Sequence, residues 1–322
     1  MPQSIAFATS NQVLGLGLET TRGVAVAPTL WLPSSANSWD PKVSWLHDDA
    51  LRGAAVDIYD EIQGARYDQY GFKTFVFADT ICALFRAALG STDTVTGTAA
   101  PYTHTIGLQN DQVGSQPPSY TIYWFDGAVG RQISGAQLDT LDLSFTADGK
   151  AEVSTKWVAN IENDKPYTAP SFSTQKLVPG WDCAITLGTV AAPYIMSGSV
   201  NIKRGTKPIF VSGSQGPLQN FAGPLNVSGK FMFVMGANDQ TMANGLTRDQ
   251  QYCQLTFTDP ASGYTVTVHM TTTQLENPKV DVGKEWVQVG ADFKAVPNTT
   301  DDVTGQYSQI RAVVNNGVSS AF

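Results

Sequence analysis

Gly135–Asn160, GAQLDTLDLSFTADGKAEVSTKWVAN, decides the fold class. From Asp139 to Phe145 the residues alternate, Leu141, Leu143 and Phe145 on one side against Thr140, Asp142 and Ser144 on the other. That period of two gives a strand with one dry and one wet face. Asp148-Gly149, residues that readily take positive φ, predict a tight hairpin turn. Alternation then resumes, with Ala151, Val153, Thr155 and Trp157 opposite Glu152, Ser154 and Lys156.

Gln251–Thr273 repeats the design. Cys253, Leu255 and Phe257 answer Tyr264, Val266, Val268 and Met270, and Gln254, Thr256, Thr265, Thr267 and His269 form the polar side. Two ribbons of one kind predict a duplicated unit, with strand, strand, helix and hairpin running over Gly71–Trp157 and again over Gly229–Phe293.

Working outward, Asn11–Pro33 mixes glycines with short apolar pieces and reads as part of an extended arm over residues 1–37. Gly15 and Gly17 do not open a dinucleotide loop, since no buried strand precedes them and Pro28 interrupts the helix that would follow. Residues 38–165 form the first β unit. Within it Leu51–Phe77 has strand character at both ends and a polar centre, Asp60, Glu61, Gln63 and Arg66, expected as a long exposed loop free to touch a neighbouring subunit. Asp79–Leu89 carries Ile81, Leu84, Phe85, Ala88 and Leu89 on one helical stripe, with Asp79 placed to cap its start and Gly90 to end it. Glu162–Pro179 contains three prolines and reads as the linker to a second unit over residues 166–322. There Ile195–Arg204, Pro224–Met235 and Glu285–Val296 alternate as strands, and Asp239–Leu246 has the length of a short helix.

The chain of 322 residues has room for one large or two ordinary cores. Only 15% of it is charged, against about 25% in ordinary globular chains, which predicts a surface partly covered by neighbours. A formal net charge of −8 argues against a protein that works by neutralising phosphates. Cys82, Cys183 and Cys253 are odd in number and widely spaced, and read as buried thiols. No apolar run reaches the length of a membrane span, and the first residues show no secretory pattern, so synthesis in a cytoplasm is expected.

Chemistry is sparse. His47, His104 and His269 lie far apart with no metal-ligand spacing. The acidic clusters Asp48-Asp49, Asp57 with Asp60 and Glu61, and Asp301-Asp302 read as solvated loops rather than a glycosidase pair. Asn226 and Asn298 open glycosylation patterns that carry little weight without a secretory route. No catalytic residue, cofactor or metal is expected.

LGLGLETTRGVAVAPTLWLP, LRG at Leu51–Gly53, AALG at Ala87–Gly90, YTHT at Tyr102–Thr105, and PGW at Pro179–Trp181 ahead of SGSVNIKRGTKP together resemble the tail tube proteins of long, non-contractile phage tails. The likeness spans nearly the whole chain. It implies a mainly β fold, an antiparallel β-sandwich or barrel with a flanking helix. It also implies rings whose strands join in one inner barrel, stacked into a conduit for genome ejection. Three chains would close a pseudo-sixfold ring if the units are equivalent, and six would if they are not. The implied partners are further copies of the chain, a tape-measure protein, and tail terminator and distal tail proteins, with DNA only passing through and no membrane. The implied location is the virion, after synthesis in the bacterial host.

On that resemblance Asp142, Ser144, Glu152, Ser154, Thr265, Thr267, His269, Gln288 and Asp292 are expected to line the channel, where hydroxyl and acidic groups would hold water and repel phosphate. Lys156 and Lys294 depart from that rule. Asp60, Glu61, Gln63 and Arg66 are expected to contact the next ring. The alternative from another class is a secreted β-sandwich that binds or cleaves polysaccharide, which would need an export signal and paired acids.

Overall fold

The computed structural model describes residues 7–110, 116–188, 190–191, 194–236, 246, 250–283 and 285–322. The first half supplies β1 (Val13–Leu18), β2 (Leu30–Leu32), β3 (Ser34–Asp48), β4 (Asp60–Phe75), α1 (Ile81–Leu89), β5 (Thr94–Thr96), β6 (Tyr102–Gly107), β7 (Tyr120–Phe125), β8 (Gly130–Thr146), β9 (Glu152–Ala159) and β10 (Asn163–Lys165). The second supplies β11 (Cys183–Leu187), β12 (Val190–Ala191), β13 (Ile195–Lys203), β14 (Lys207–Ile209), β15 (Gln219–Phe221), β16 (Asn226–Val234), β17 (Gln251–Thr258), β18 (Thr265–Asp281), β19 (Gln288–Ala295) and β20 (Arg311–Asn316). The fold is mainly β, antiparallel, with one helix among the described residues.

Eight strands make a continuous sheet in the order β3-β4-β9-β8-β13-β16-β19-β18. The two 17-residue strands, β8 and β18, each bend between layers. The first part of β8 pairs β7 and β10, and the first part of β18 pairs β17 and β20. Only their C-terminal parts enter the eight-stranded sheet. The layers pack dry face to dry face, with the Phe145 ring of β8 meeting Phe257 of β17 edge-on at 5.5 Å, and on the dry face of the eight-stranded sheet Phe231 stacks on Phe293 at 4.7 Å. Gly198 leaves the room these rings fill, since a Cβ there would stand 2.7 Å from Phe145 and 2.9 Å from Phe231.

The same pairing scheme occurs twice. β2·β1·β7·β8·β10 in the first half corresponds to β12·β11·β17·β18·β20 in the second. In the eight-stranded sheet β3-β4-β9-β8 corresponds to β13-β16-β19-β18, each with its third and fourth strands exchanged in space. The halves meet where β8 pairs β13.

Several expectations change. Within the stretch read as an arm, two strands belong to the core: β1 lies between β2 and β7, and Leu14, Leu16 and Leu32 are buried. Its anchor is Glu19, which accepts hydrogen bonds from Ser119 Oγ (2.6 Å), Thr121 Oγ1 (2.8 Å) and the Gly135 and Gly23 amides (2.7 Å each). Glycines disguised these strands, because the missing side chains admit Trp31, Pro28 and the Ala27 carbonyl close to the backbone.

The helix begins two residues later than expected, and Asp79 does not cap it; its carboxylate takes the Ser173 hydroxyl instead. Gly90 ends it as expected, at φ 97°. All its residues except Arg86 are buried, and it packs against β6 and β8. The turn between β8 and β9 is also wider than a two-residue turn. Gly149 does not take positive φ; its amide closes a turn on Thr146 O (2.9 Å), and Ala147 N and Ala151 N bond Met196 O and Val178 O, so the tip is held by its neighbours as well. The stretch expected as a linker is tied down along the first half, by Thr168 N to Tyr123 Oη (2.7 Å) and Val178 N to Val76 O (3.0 Å). The expected helix at Asp239–Leu246 lies, except for Leu246, outside the described residues.

Candidate functional site

Register across the eight-stranded sheet sets which side chains share a face, because cross-strand partners point the same way. One row runs Lys73, Ser154, Asp142, Asn201, Ser228, Lys294, Gln274, and a second runs Glu152, Ser144, Ser199, Lys230, Asp292, Glu276. These side chains are exposed or half-buried, whereas the alternate residues Leu143, Val153, Val200, Phe231 and Phe293 are buried. Asn201 Nδ2 donates to Asp142, so the seam between the halves carries a polar tie.

The expected channel set divides. Asp142, Ser144, Glu152, Ser154 and Asp292 share this broad polar face, and Gln288 stands on it but is buried. Thr265, Thr267 and His269 belong to the part of β18 that pairs β17 and β20, and project from the opposite side of the sandwich. There Asn315 Nδ2 donates to Thr265 Oγ1 at 2.8 Å and Tyr252 Oη stands 3.1 Å from His269 Nδ1. Burial, and then the Arg311 charge, hold the His269 imidazolium below its ordinary range. The nine residues therefore cannot line one surface; the ribbon pattern gave their polarity but not the bend in β18 that turns them outward.

The composition of the broad face differs too. Lys73, Lys156, Lys203, Lys230 and Lys294 stand on it among Asp142, Glu152, Glu276 and Asp292, with Lys230 directly opposite Asp292. It is a mixed, hydroxyl-rich surface rather than an acidic one. Lys156 and Lys294 are part of its pattern.

The expected exposed loop is a hairpin. Asp60–Arg66 belongs to β4, paired with β3, and the turn is residues 49–59. Asp60, Glu61 and Gln63 are exposed near its tip, but Arg66 sits at its base, with Nη2 2.6 Å from Glu162 Oε1. The tip is held by His47 Nδ1 to Glu61 Oε1 (2.9 Å), Arg52 to Asp48, and Arg52 over the Tyr59 ring at 4.7 Å. It nevertheless exposes Trp45, Leu46, Leu51, Val56, Ile58 and Ile62, with Leu51 at 96%. At the other end of the sheet, Met235 N bonds Val287 O (3.0 Å) and Val234 N bonds Tyr194 O (2.8 Å), and Tyr194, Met235, Trp286 and Val287 are exposed. Because β4 runs from the tip at Asp60 to Phe75 beside Glu152, the two apolar clusters lie at opposite ends of one sheet.

At the hairpin base Asp68 is fully buried, accepts the Glu162 amide at 2.9 Å, and is pushed up to about 7, by burial first and then by neighbouring Glu162. Against its own burial, hydrogen bonds with Asp68 and Arg66 hold Glu162 below the usual range. Arg66 Nη2 is 3.9 Å from Asp68 but spends its short contact on Glu162. From about pH 4, where an unfolded aspartate ionises, to about 7, the native state keeps a proton the unfolded chain has lost. The stability contributed here therefore falls as pH rises through that window. Asp68→Asn is expected to gain stability relative to the parent across the same window in urea titrations, and a pH-independent difference would refute this.

The other titratable groups have structural roles. Asp301 accepts from Thr271 N (2.6 Å), Thr271 Oγ1 and Asn298 Nδ2, and Asp302 gathers the turn that follows it. His104 is buried with Nδ1 2.7 Å from Asp93 and Nε2 2.9 Å from the Val318 carbonyl, its ring against Phe322, so it clasps the C-terminal residues. Among the described residues no group of His, Cys, Asp and Glu is arranged to hold a metal, and no helix is long and apolar enough to cross a membrane.

The family described as phage tail tube protein matches the chain over residues 9–318. No curated protein matches it.

Proposed function

The chain belongs to the phage tail tube protein family, and from that premise we propose that it assembles into stacked rings forming a hollow tube through which DNA is ejected. The family is structural rather than enzymatic, and the chain is a component of the virion tail. The observation that carries the reading is the eight-stranded sheet: one face is sealed by the second layer, the other is polar and open, and among the described residues β3 pairs β4 alone and β18 beyond Thr273 pairs β19 alone. An open antiparallel sheet with such edges invites pairing by further strands, and closure into a barrel removes the edges.

In that barrel Asp142, Ser144, Glu152, Ser154 and Asp292 face the channel, with the lysines between them, and Thr265, Thr267 and His269 lie on the outside. Alternating charges and hydroxyls hold water without presenting a run of cations to which a phosphate backbone would adhere. The apolar hairpin tip meets the apolar cluster at the far end of the sheet in the next ring. Such a head-to-tail contact between unlike surfaces propagates instead of closing. The tail is of the long non-contractile kind, with a tape-measure protein in the channel during assembly and terminator and distal proteins at its ends.

Negative-stain microscopy of the purified protein tests the reading. Rings or hollow tubes are expected, and a monomer that stays dispersed at every concentration and salt would remove it. Asp142→Lys with Glu152→Lys makes the face strongly cationic while leaving the dry side untouched. Subunits are expected to fold and virions to lose most of their infectivity through slowed ejection; full infectivity would count against the channel assignment.

A further inference from the structure

We infer that the connection between β13 and β16 is an internal clamp: it grips the β3–β4 hairpin at its base and sets the direction in which the apolar tip leaves the sheet. That this direction matters for docking rests on the tube reading; the clamp itself does not.

The hairpin needs holding. β4 pairs β9 from Phe75 to Asp68, but from Tyr67 to Asp60 it pairs β3 alone. A strand of that length extends about 26 Å, and a two-stranded ribbon by itself is marginally stable. A change of about 10° at the base would carry the tip about 5 Å sideways, a whole strand spacing, and off a fixed target on a second copy. The base is also where the ladder is irregular. Val43 faces Arg66 and Trp45 faces Gln63, so Ser44 alone stands opposite Gly64 and Ala65. Such a bulge bends its strand and disrupts the ladder locally.

Both flanks of the bulge are taken by one residue. The Arg66 amide donates to the Gln215 carbonyl at 2.9 Å, and Gln215 Nε2 donates to the Gly64 carbonyl at 2.9 Å. Phe210 meets the Tyr67 ring edge-on at 6.2 Å. The Arg66 side chain meanwhile reaches Glu162 at 2.6 Å, so the strand is fixed through its main chain and its side chain at the same point.

The clamp is firm at its root. The Thr206 amide and hydroxyl bond Asp139 Oδ1 and the Leu138 carbonyl at 2.8 Å each, and Asn220 Nδ2 bonds the Gly135 carbonyl at 2.8 Å. These partners lie where β8 leaves β7 for the eight-stranded sheet, and β14 pairs β15 between the anchors. The connection therefore ties the bend of β8 to the bulge of β4. In the repeated pairing scheme β13 and β16 correspond to β3 and β4, so it stands where the second half would carry a long hairpin of its own. It is shorter, and it serves the first half's hairpin instead.

Phe210 and Gln215 are exposed, so Phe210→Ala with Gln215→Ala removes the grip without emptying a core. Spin labels on Ala54→Cys at the tip and Lys156→Cys on β9 read the hairpin's direction by double electron–electron resonance, in a Cys183→Ser background because Cys82 and Cys253 are buried. The parent is expected to give one narrow distance distribution, and the Phe210→Ala, Gln215→Ala variant one about twice as wide. Exchange of the Arg66 amide is expected to quicken roughly tenfold and tube elongation to slow roughly tenfold, with a urea midpoint close to the parent's. Equal widths and equal exchange in parent and variant would overturn the clamp, and normal elongation from a loosened hairpin would overturn its part in docking. Should the parent form no tubes at all, the tube reading goes, and the distance and exchange measurements decide the clamp alone.

Discussion

Phe231→Ala is expected to cost about 3–5 kcal/mol of unfolding free energy, the range for emptying a buried aromatic site. Phe231 is fully buried, stacked on Phe293 with ring planes 15° apart, and tilted against Phe233 at 6.0 Å. It fills the layer between the polar-faced sheet and the sheet behind it. The surrounding rings are fixed by close backbone contacts: a Cβ on Gly229 would stand 2.0 Å from the Ser199 carbonyl and 2.4 Å from Phe293. The strands therefore have little freedom to collapse into the hole, which places the loss toward the upper part of the range. Domains are generally stable by only about 5–15 kcal/mol, so the variant should unfold at much lower urea with an unchanged m-value. A loss below about 1 kcal/mol would mean that the two layers do not pack through this ring.

The ribbons were legible because a half-buried strand writes its burial into every second residue. Leu141, Leu143, Phe145 and Val153, and Cys253, Leu255, Phe257 and Val268, are buried as the alternation predicts. β1 and β2 were not, since their glycines are spaces for neighbouring side chains and a residue with no side chain has no polarity to alternate. Helix α1 was legible as a helix, but its nearly complete burial was hidden by alanines and Cys82 on the side expected to be wet. The site was read more coarsely than the fold. The dry positions of β18 are even-numbered at Val266, Val268 and Met270 and odd-numbered at Thr273 and Leu275, and its pairing changes from β20 to β19 at the same place. Read as a single ribbon up to Thr273, β18 hides that change of phase, and Thr265, Thr267 and His269 are then grouped with Asp142. The Asp93–His104 clasp had no signal in spacing at all, because its third member, the Val318 carbonyl, is backbone.

Leu46→Lys combined with Ile62→Glu is expected to abolish tube elongation while leaving subunits folded. The two residues are direct cross-strand partners on the hairpin and both are mostly exposed. A lysine facing a glutamate there replaces one favourable pair by another, so the hairpin itself should persist. What changes is the surface offered to the next ring. Each buried Leu or Ile side chain contributes about 1.5–3 kcal/mol, and taking the two paired charges out of water at the same place costs several kcal/mol more in desolvation. Every copy in a ring carries the same hairpin, so the penalty applies at each contact around it, and propagation should fall by far more than tenfold. Sedimentation should show ring-sized or smaller particles with unchanged circular dichroism. Tubes of normal length would mean that the exposed apolar tip, for all its Trp45, Leu51 and Ile58, docks on something other than the Tyr194–Trp286 end of a second copy.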